Sequence, residues 1–319
     1  GKWEGINATN TLVMADVVSM DSTLPLKKRD AVSRASGDIP KMGMKMYLNE
    51  KQLTDLDTIV AQGATLTGPN ANERQIVITL FNDTPKCTGG VYERLERMFL
   101  EGLSTGVTLV EDDENTGVGI RLDYGYLNAN KFGVSTLWSN TASLPFDDIQ
   151  RVLDKAREDG NVITTVKIDR VTMNNIAKTT QAKEYYAFQV GFVGNNIQVP
   201  TLEQLNTMTS ARFGFTFEII ERSVRYEKNG VQTSFKPWQE GMVVFLPSDN
   251  VGQLVWARLA EQNHPVQGVS YQTADDFILL SKFRKNDPVA EFTTSQARAV
   301  PVIAGVDSIY TLDSKTIQA

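Results

Sequence analysis

The chain is poor in the residues on which most site chemistry rests. It has one cysteine, Cys87, and one histidine, His264. A lone cysteine cannot close an internal disulfide, which excludes a stapled secreted framework. A lone histidine excludes His-pair metal motifs and weakens any Ser–His or Cys–His hydrolase reading. Long apolar runs are missing too. Met242 to Leu246 is typical of them, far short of the ~20 residues a membrane-spanning helix needs. No charged-then-apolar signal peptide is visible, and the chain opens at Gly1, which fits either a start set by cloning or removal of an N-terminal piece.

The phosphate and nucleophile motifs are absent as well. There is no G-x-x-x-x-G-K-[ST] loop and no G-x-S-x-G elbow. Gly117-Val118-Gly119 begins a G-x-G, but Leu122 stands where the third glycine belongs and no helical pattern follows. No cofactor is expected.

What remains is an ordinary globular composition. At 319 residues, 41% hydrophobic and 22% charged, the chain can build a sizeable core and is not a disordered sequence. Length alone suggests about two domains. Lys41 to Tyr47 alternates Met42, Met44 and Met46 with Lys41, Gly43 and Lys45, the period of a half-buried strand. Leu12 to Met20 also reads as a strand, and the two would form a hairpin with a long, basic tip. Such a hairpin has no core of its own, so either it lies against another molecule or the strand reading fails. Asn49 and Gln52 form a capping-box start for a helix ending near Gly63. Glu73 to Phe81 fits strand or helix, and Val91 to Leu100 is a helix with an apolar stripe.

Leu109 to Asp123 reads as two strands around an acidic turn. Asp147 to Gly160 is an amphipathic helix, with Ile149, Val152, Leu153 and Ala156 on one face. A strand at Val162 to Ile168 and a short helix at Arg170 to Lys178 follow. The last third is mostly β: alternation at Phe213, Phe215, Phe217 and Ile219, a hairpin about Asn229-Gly230, and strands at Met242 to Leu246, Leu254 to Leu259, Phe277 to Phe283, Phe292 to Thr294 and Ala299 to Ile303.

Three residue groups could carry chemistry. The loop about Asp113, Asn115 and Gly117 lacks the spacing and terminal Glu of an EF-hand and reads better as a solvated hairpin tip. Asp147 and Asp148 could be an acid/base pair, but adjacent helical residues diverge by about 100°, and an N-terminal capping role explains both better. Cys87 reads as a structural residue in a loop ahead of a helix, and His264 as a loop residue. Charge is more informative. Ser22 to Met46 holds six bases and two acids, a net of +4, including Lys27, Lys28, Arg29 and Arg34. Glu101 to Glu114 holds five acids and no base, including Glu111, Asp112, Asp113 and Glu114. These segments could pair between copies of the chain, or be two solvated faces. A pI near 5.1 argues against a dedicated nucleic-acid binder.

An ordered set of stretches resembles the major capsid proteins of lambda-type tailed bacteriophages, the major capsid protein E family. It comprises Asp123-Tyr124-Gly125, Trp138, Pro145 to Ile149 with the helix after it, Tyr226 to Val231, Phe235, Pro237, Met242-Val243, and Asp287 to Thr293 with Ser295-Gln296 and Pro301. The resemblance covers roughly the last two thirds in order; the first third fits by layout. It implies an α+β chain of the Hong Kong ninety-seven capsid type: an N-terminal arm and extended β-hairpin loop over residues 1–47, a spine helix and peripheral domain over 48–146, an axial domain over 147–273, and C-terminal strands over 274–319 that return to the periphery. It implies a structural subunit that self-assembles into hexamers and pentamers of an icosahedral shell around double-stranded DNA, with portal, scaffolding and decoration proteins as partners and no membrane. An encapsulin-like compartment shell is the nearest rival, and a carboxylate enzyme a more distant one. The helix after Asn49 falls where that layout has a shorter join.

Overall fold

The computed structural model describes residues 2–8, 32–63, 82–110, 120–194, 197–228 and 231–318. Strands β1 (Lys2–Ala8) and β2 (Val32–Asp38) pair as a two-stranded ribbon. Strand β3 (Lys41–Asn49) leads into helix α1 (Glu50–Gly63) through the expected capping box. The Asn49 carboxamide accepts from the Gln52 amide at 2.9 Å, and the Gln52 side chain accepts from the Asn49 amide at 3.0 Å. Helix α2 (Asp83–Thr105) is followed by the antiparallel pair β4 (Val107–Val110) and β5 (Ile120–Asp123).

Strand β6 (Lys131–Val134), helix α3 (Pro145–Glu158) and strand β7 (Thr165–Asp169) come next. Three helices then run in succession, α4 (Arg170–Lys178), α5 (Thr180–Gln189) and α6 (Leu202–Arg212), before strand β8 (Thr216–Ile220). The remainder is strand-rich: β9 (Val224–Lys228), β10 (Val231–Phe235), β11 (Met242–Leu246), β12 (Gly252–Ala257), the one-turn helix α7 (Ala260–Asn263), β13 (Ser270–Ala274), β14 (Ile278–Asn286), β15 (Val289–Ile303) and β16 (Tyr310–Ile317).

The described residues divide into two compact units. One is bounded by Gly1–Trp3, Asp38–Arg97 and Leu254–Pro301, the other by Glu4–Gly37, Met98–Gln253 and Val302–Ala319. In the first, β15 is the organising strand, with β14 antiparallel on one edge and β3 antiparallel on it as well. Alternation along β3 turns Met42, Met44 and Met46 toward Cys87, Val91 and Leu95 of α2 and toward Ile278, Leu280, Ala297 and Ala299 of the sheet. Methionine suits this interface because its flexible thioether fills irregular gaps between helix and strand.

Two expectations are corrected here. The strand at Lys41 to Tyr47 exists, but its partner is β15, so it is built into a sheet and is not one leg of a free hairpin. The ribbon that does form uses β1 and β2; Leu12 to Met20 lies outside the described residues, as does Glu73 to Phe81. Cys87 is not in a loop. The helix expected from Val91 begins at Asp83, and Gly89-Gly90 lies inside it. A Cβ added to Gly90 would stand 2.2 Å from the Met44 sulfur, so a side chain there would have to move the Met44 thioether out of its packing against α2.

The second unit is centred on a mixed five-stranded sheet in the order β6-β16-β11-β7-β8, with β16 parallel to β6 and β7 parallel to β8. Phe146, Ile149, Val152, Leu153 and Ala156 of α3 pack on it, on the predicted stripe, with Ile176, Leu205 and Met208 of the neighbouring helices. The facing strand residues include Val166, Ile168, Phe217, Val243, Phe245, Tyr310 and Leu312. Phe213 caps the end of α6 and Gly214 takes φ +85°, so the expected alternating strand starts at Thr216. The hairpin about Asn229-Gly230 pairs Lys228 with Val231; the two turn residues lie outside the described residues.

Candidate self-assembly surface

The carboxylates that could have made an active site are spent on structure. Asp148 is 3% exposed. One of its oxygens accepts from the Ser135 amide at 3.1 Å and the Ser135 hydroxyl at 3.0 Å, and the other accepts from the Trp138 indole at 3.0 Å. Asp147 accepts from the Gln181 carboxamide at 2.7 Å. The two side chains therefore serve different partners and share no reacting position, and neither makes a side-chain cap of α3. Both still sit in its first turn, where negative charge is favoured. Asp169 is the residue that caps: it takes the Thr172 amide and hydroxyl at the start of α4, and the Gly241 amide at 2.9 Å.

Cys87 is fully buried, and its thiol donates to the Thr293 carbonyl at 3.6 Å. Burial, with Asp83 nearby, pushes its pKa up to about 11, so it is a neutral packing group. His264 is exposed and closes the one-turn helix α7. No cluster of three or more metal-ligating side chains occurs among the described residues.

Of the charged residues expected at subunit contacts, Lys27, Lys28 and Arg29 lie outside the described residues, and so do Glu111, Asp112, Asp113 and Glu114. Arg34 lies on β2 of the ribbon. The acidic segment joins β4 to β5, whose last described pair is Val110 with Ile120. The hairpin expected there is present.

The sequence reading overlooked α5, α6 and the surface they carry. Helix α6 opens on Thr201-x-x-Gln204, a capping box whose Gln204 side chain accepts from the Thr201 amide at 2.8 Å. That signature was visible in the sequence. Helix α5 has no clean apolar stripe, because its residues divide between the core (Ala182, Ala187) and solvent (Phe188). Past α5 the chain turns at Gly191, φ +66°, and the Phe192 amide donates back to the Ala187 carbonyl at 2.9 Å. Around this turn Phe188 is 84% exposed and Val193 97%, with Val190, Phe192 and Val199 exposed beside them in the chain. These are large apolar side chains that the subunit leaves in solvent.

The architecture has counterparts among solved structures. A prophage protein of E. coli CFT073, assigned as its capsid protein, superposes with a TM-score of 0.58 at 12% identity, over 89% of this chain and 79% of its own. A phage-related protein of Bordetella bronchiseptica gives 0.47 at 12% identity, over 94% and 84%. The mature capsid of bacteriophage PhiM1 gives 0.47 at 7% identity, over 98% and 81%. The first of these shows the phage capsid fold of Hong Kong ninety-seven type, α+β with a long helix and two sheet-bearing units. No curated protein sequence matches the chain. The sequence model described as phage major capsid protein E matches residues 7–314, and the chain belongs to that family. It is a structural subunit of an icosahedral phage capsid, and its place is the shell of the virion, built from many copies.

Proposed function

We propose that this subunit assembles into hexamers and pentamers that close an icosahedral shell around double-stranded DNA, and that it carries out no catalysis. The observation that carries the reading is the family match across nearly the whole chain. The ribbon of β1 and β2 would be part of the N-terminal arm and loop (residues 1–47) that reaches a neighbouring subunit. Helix α2 would be the spine helix of the 48–146 region and the sheet with α3 to α6 the axial domain (147–273), which draws β6 and β16 from outside those bounds; of the C-terminal strands (274–319), β14 and β15 would return to the periphery. The pairing of β15 with β3 supports that return. Many weak contacts between copies then add by multivalency. A compartment shell of encapsulin type is the weaker reading, because the matching family is a phage one.

Assembly would take place in the host cytoplasm, with portal, scaffolding and decoration proteins as partners and with DNA held only by non-specific proximity. The basic segment with Lys27, Lys28, Arg29 and Arg34 would meet the acidic segment Glu111 to Glu114 of another copy, setting register more than affinity. Negative-stain microscopy of the purified chain tests the class: closed shells or capsomer sheets are expected, and a persistent monomer argues against it. Reversing Lys27, Lys28 and Arg29 to Glu tests the pairing. It should weaken assembly and its salt dependence, and unchanged assembly would remove the pairing from the account.

A further inference from the structure

An open cleft of about 560 Å³ is lined by residues of β12, α7, β13 and β14, all within the first unit. Ligand clefts span roughly 300–1,000 Å³, so this one has the size of a binding site. Trp256 of β12, 42% exposed, lines it together with Tyr271 of β13. Exposed side chains of Arg258, Asn263, Gln272, Thr273 and Asp276 supply its polar groups.

The charges in this lining balance. Glu261 is answered by Lys41 at 3.1 Å, and Arg258 and Asp276 are of opposite sign. What is left is a set of carboxamides and a hydroxyl, groups that both donate and accept hydrogen bonds. One of the charged groups is held at some cost. The hairpin from β13 to β14 turns through Asp275 and Asp276, at φ +47° and +63°. Glycine takes left-handed positions most readily, above all the second of such a pair. Asp275 has a use there, because its carboxylate accepts from the Tyr92 hydroxyl of α2. Asp276 lines the cleft instead.

We infer that this cleft binds a neutral saccharide, with Trp256 as its platform and Asp276 as an acceptor for sugar hydroxyls. The inference goes beyond the shell reading and is independent of it, since the cleft lies within one unit of one subunit. A sugar ring carries hydroxyls that donate and accept at its rim, and an apolar C–H face between them. The electron-rich indole face suits that C–H surface, and planar amide and carboxylate groups suit the hydroxyls. A charged ligand is a poorer occupant, because opposite charges in the lining cancel. DNA is poorer still, because a phosphate backbone is gripped by several lysines and arginines and the lining has one.

The walls are anchored without a ligand. Lys41 holds Glu261, the Gln262 side chain accepts from the Leu259 amide at 3.1 Å, and the Tyr271 hydroxyl accepts from the Val266 amide at 3.2 Å. Such anchoring lowers the ordering cost of binding.

A printed array of neutral and acidic oligosaccharides, probed with the purified chain, tests the assignment. The protein should bind a subset of the neutral glycans, with their density on the surface compensating for weak single contacts. Trp256→Ala should lower that binding roughly tenfold or more, and Trp256→Phe should keep part of it. Asp276→Gly should lose it as strongly while the melting temperature holds, because glycine fits the turn. Binding of no neutral glycan, of acidic glycans alone, or equally by all three variants would overturn the assignment. So would binding that isolated subunits show and assembled shells lack, which would give the cleft to a contact between copies. A chain that binds neutral glycans yet never assembles would overturn the shell reading alone, so the two readings fail separately.

Discussion

Gly90 of the long helix α2 lies so close to Met44 of strand β3 that a methyl group on it would stand 2.2 Å from the methionine sulfur. Its neighbour Gly89 has open space where the methyl would go. Replacing a helical glycine by alanine favours the helix by about 1 kcal/mol through backbone entropy. Gly89→Ala should therefore raise the melting temperature by a few degrees. Gly90→Ala should lower it, because the Met44 thioether must leave its packed position against α2 to make room, an overpacking cost of roughly 1–3 kcal/mol. Adding Met44→Ala to Gly90→Ala should recover part of that loss. Thermal unfolding of the three variants decides, and a stabilised Gly90→Ala protein would mean that the Met44 side chain moves aside without cost.

Asp148 distinguishes a structural carboxylate from a catalytic one. Its oxygens satisfy three donors in a buried setting, so Asp148→Ala leaves the Ser135 amide, its hydroxyl and the Trp138 indole without their acceptor. The expected loss is about 2–4 kcal/mol, with a change in tryptophan emission as Trp138 loosens. Chemical denaturation followed by fluorescence measures both. A variant of full stability would show that water replaces the carboxylate and that the network is dispensable.

How far the sequence could be read follows from where its patterns were strong. Helix α3 was legible because Ile149, Val152, Leu153 and Ala156 form one stripe and a single face is buried. The capping boxes show the same local legibility: Asn49 with Gln52 was read, and Thr201 with Gln204 was there to be read. Strand β3 was found by its alternating methionines, yet its partner was misassigned. Pairing with residues more than two hundred positions away leaves no local trace, whereas a hairpin with the preceding strand does. Gly89-Gly90 lowers helix propensity over the first two turns of α2, and only at Gly90, beside Met44, does the structure give the glycine a reason. The apolar loop after α5 was overlooked for another reason. Nothing in the sequence separates apolar side chains left in solvent, such as Phe188 and Val193, from those that enter the core.

Cys87 should be inert in the native protein. Burial raises its pKa to about 11, and the side chain has no exposed surface, so neither thiolate nor access is available near neutral pH. A thiol reagent should label the folded chain only at the rate of unfolding, and label it at once in denaturant. Rapid stoichiometric labelling under native conditions would mean that α2 separates from the sheet more readily than its packing implies. Cys87→Ala, by contrast, removes a small buried group and should cost on the order of 1 kcal/mol.

Glu291 gives the fold a pH dependence whose sign can be worked out. Burial, the largest single influence, pushes its carboxyl up. The hydrogen bonds and charges of Lys282, at 2.6 Å, and Arg284, at 2.8 Å, outweigh burial and hold it below the ordinary range. A carboxyl whose folded pKa is depressed binds protons more readily in the unfolded chain. Its stabilisation is therefore fully present above the unfolded carboxylate pKa of about 4.3 and is lost as pH falls through the lower folded value. Glu291→Gln should cost about 1 kcal/mol at neutral pH, less than the roughly 1.5–3 kcal/mol of hydrogen bonds to charged groups, because both basic partners are largely exposed and water resolvates them. The difference between wild type and variant should shrink steadily below a pH of about 4.3. Melting temperatures of both proteins across that range would show the convergence, and a difference independent of pH would assign the effect of the substitution to packing along β15 instead of charge.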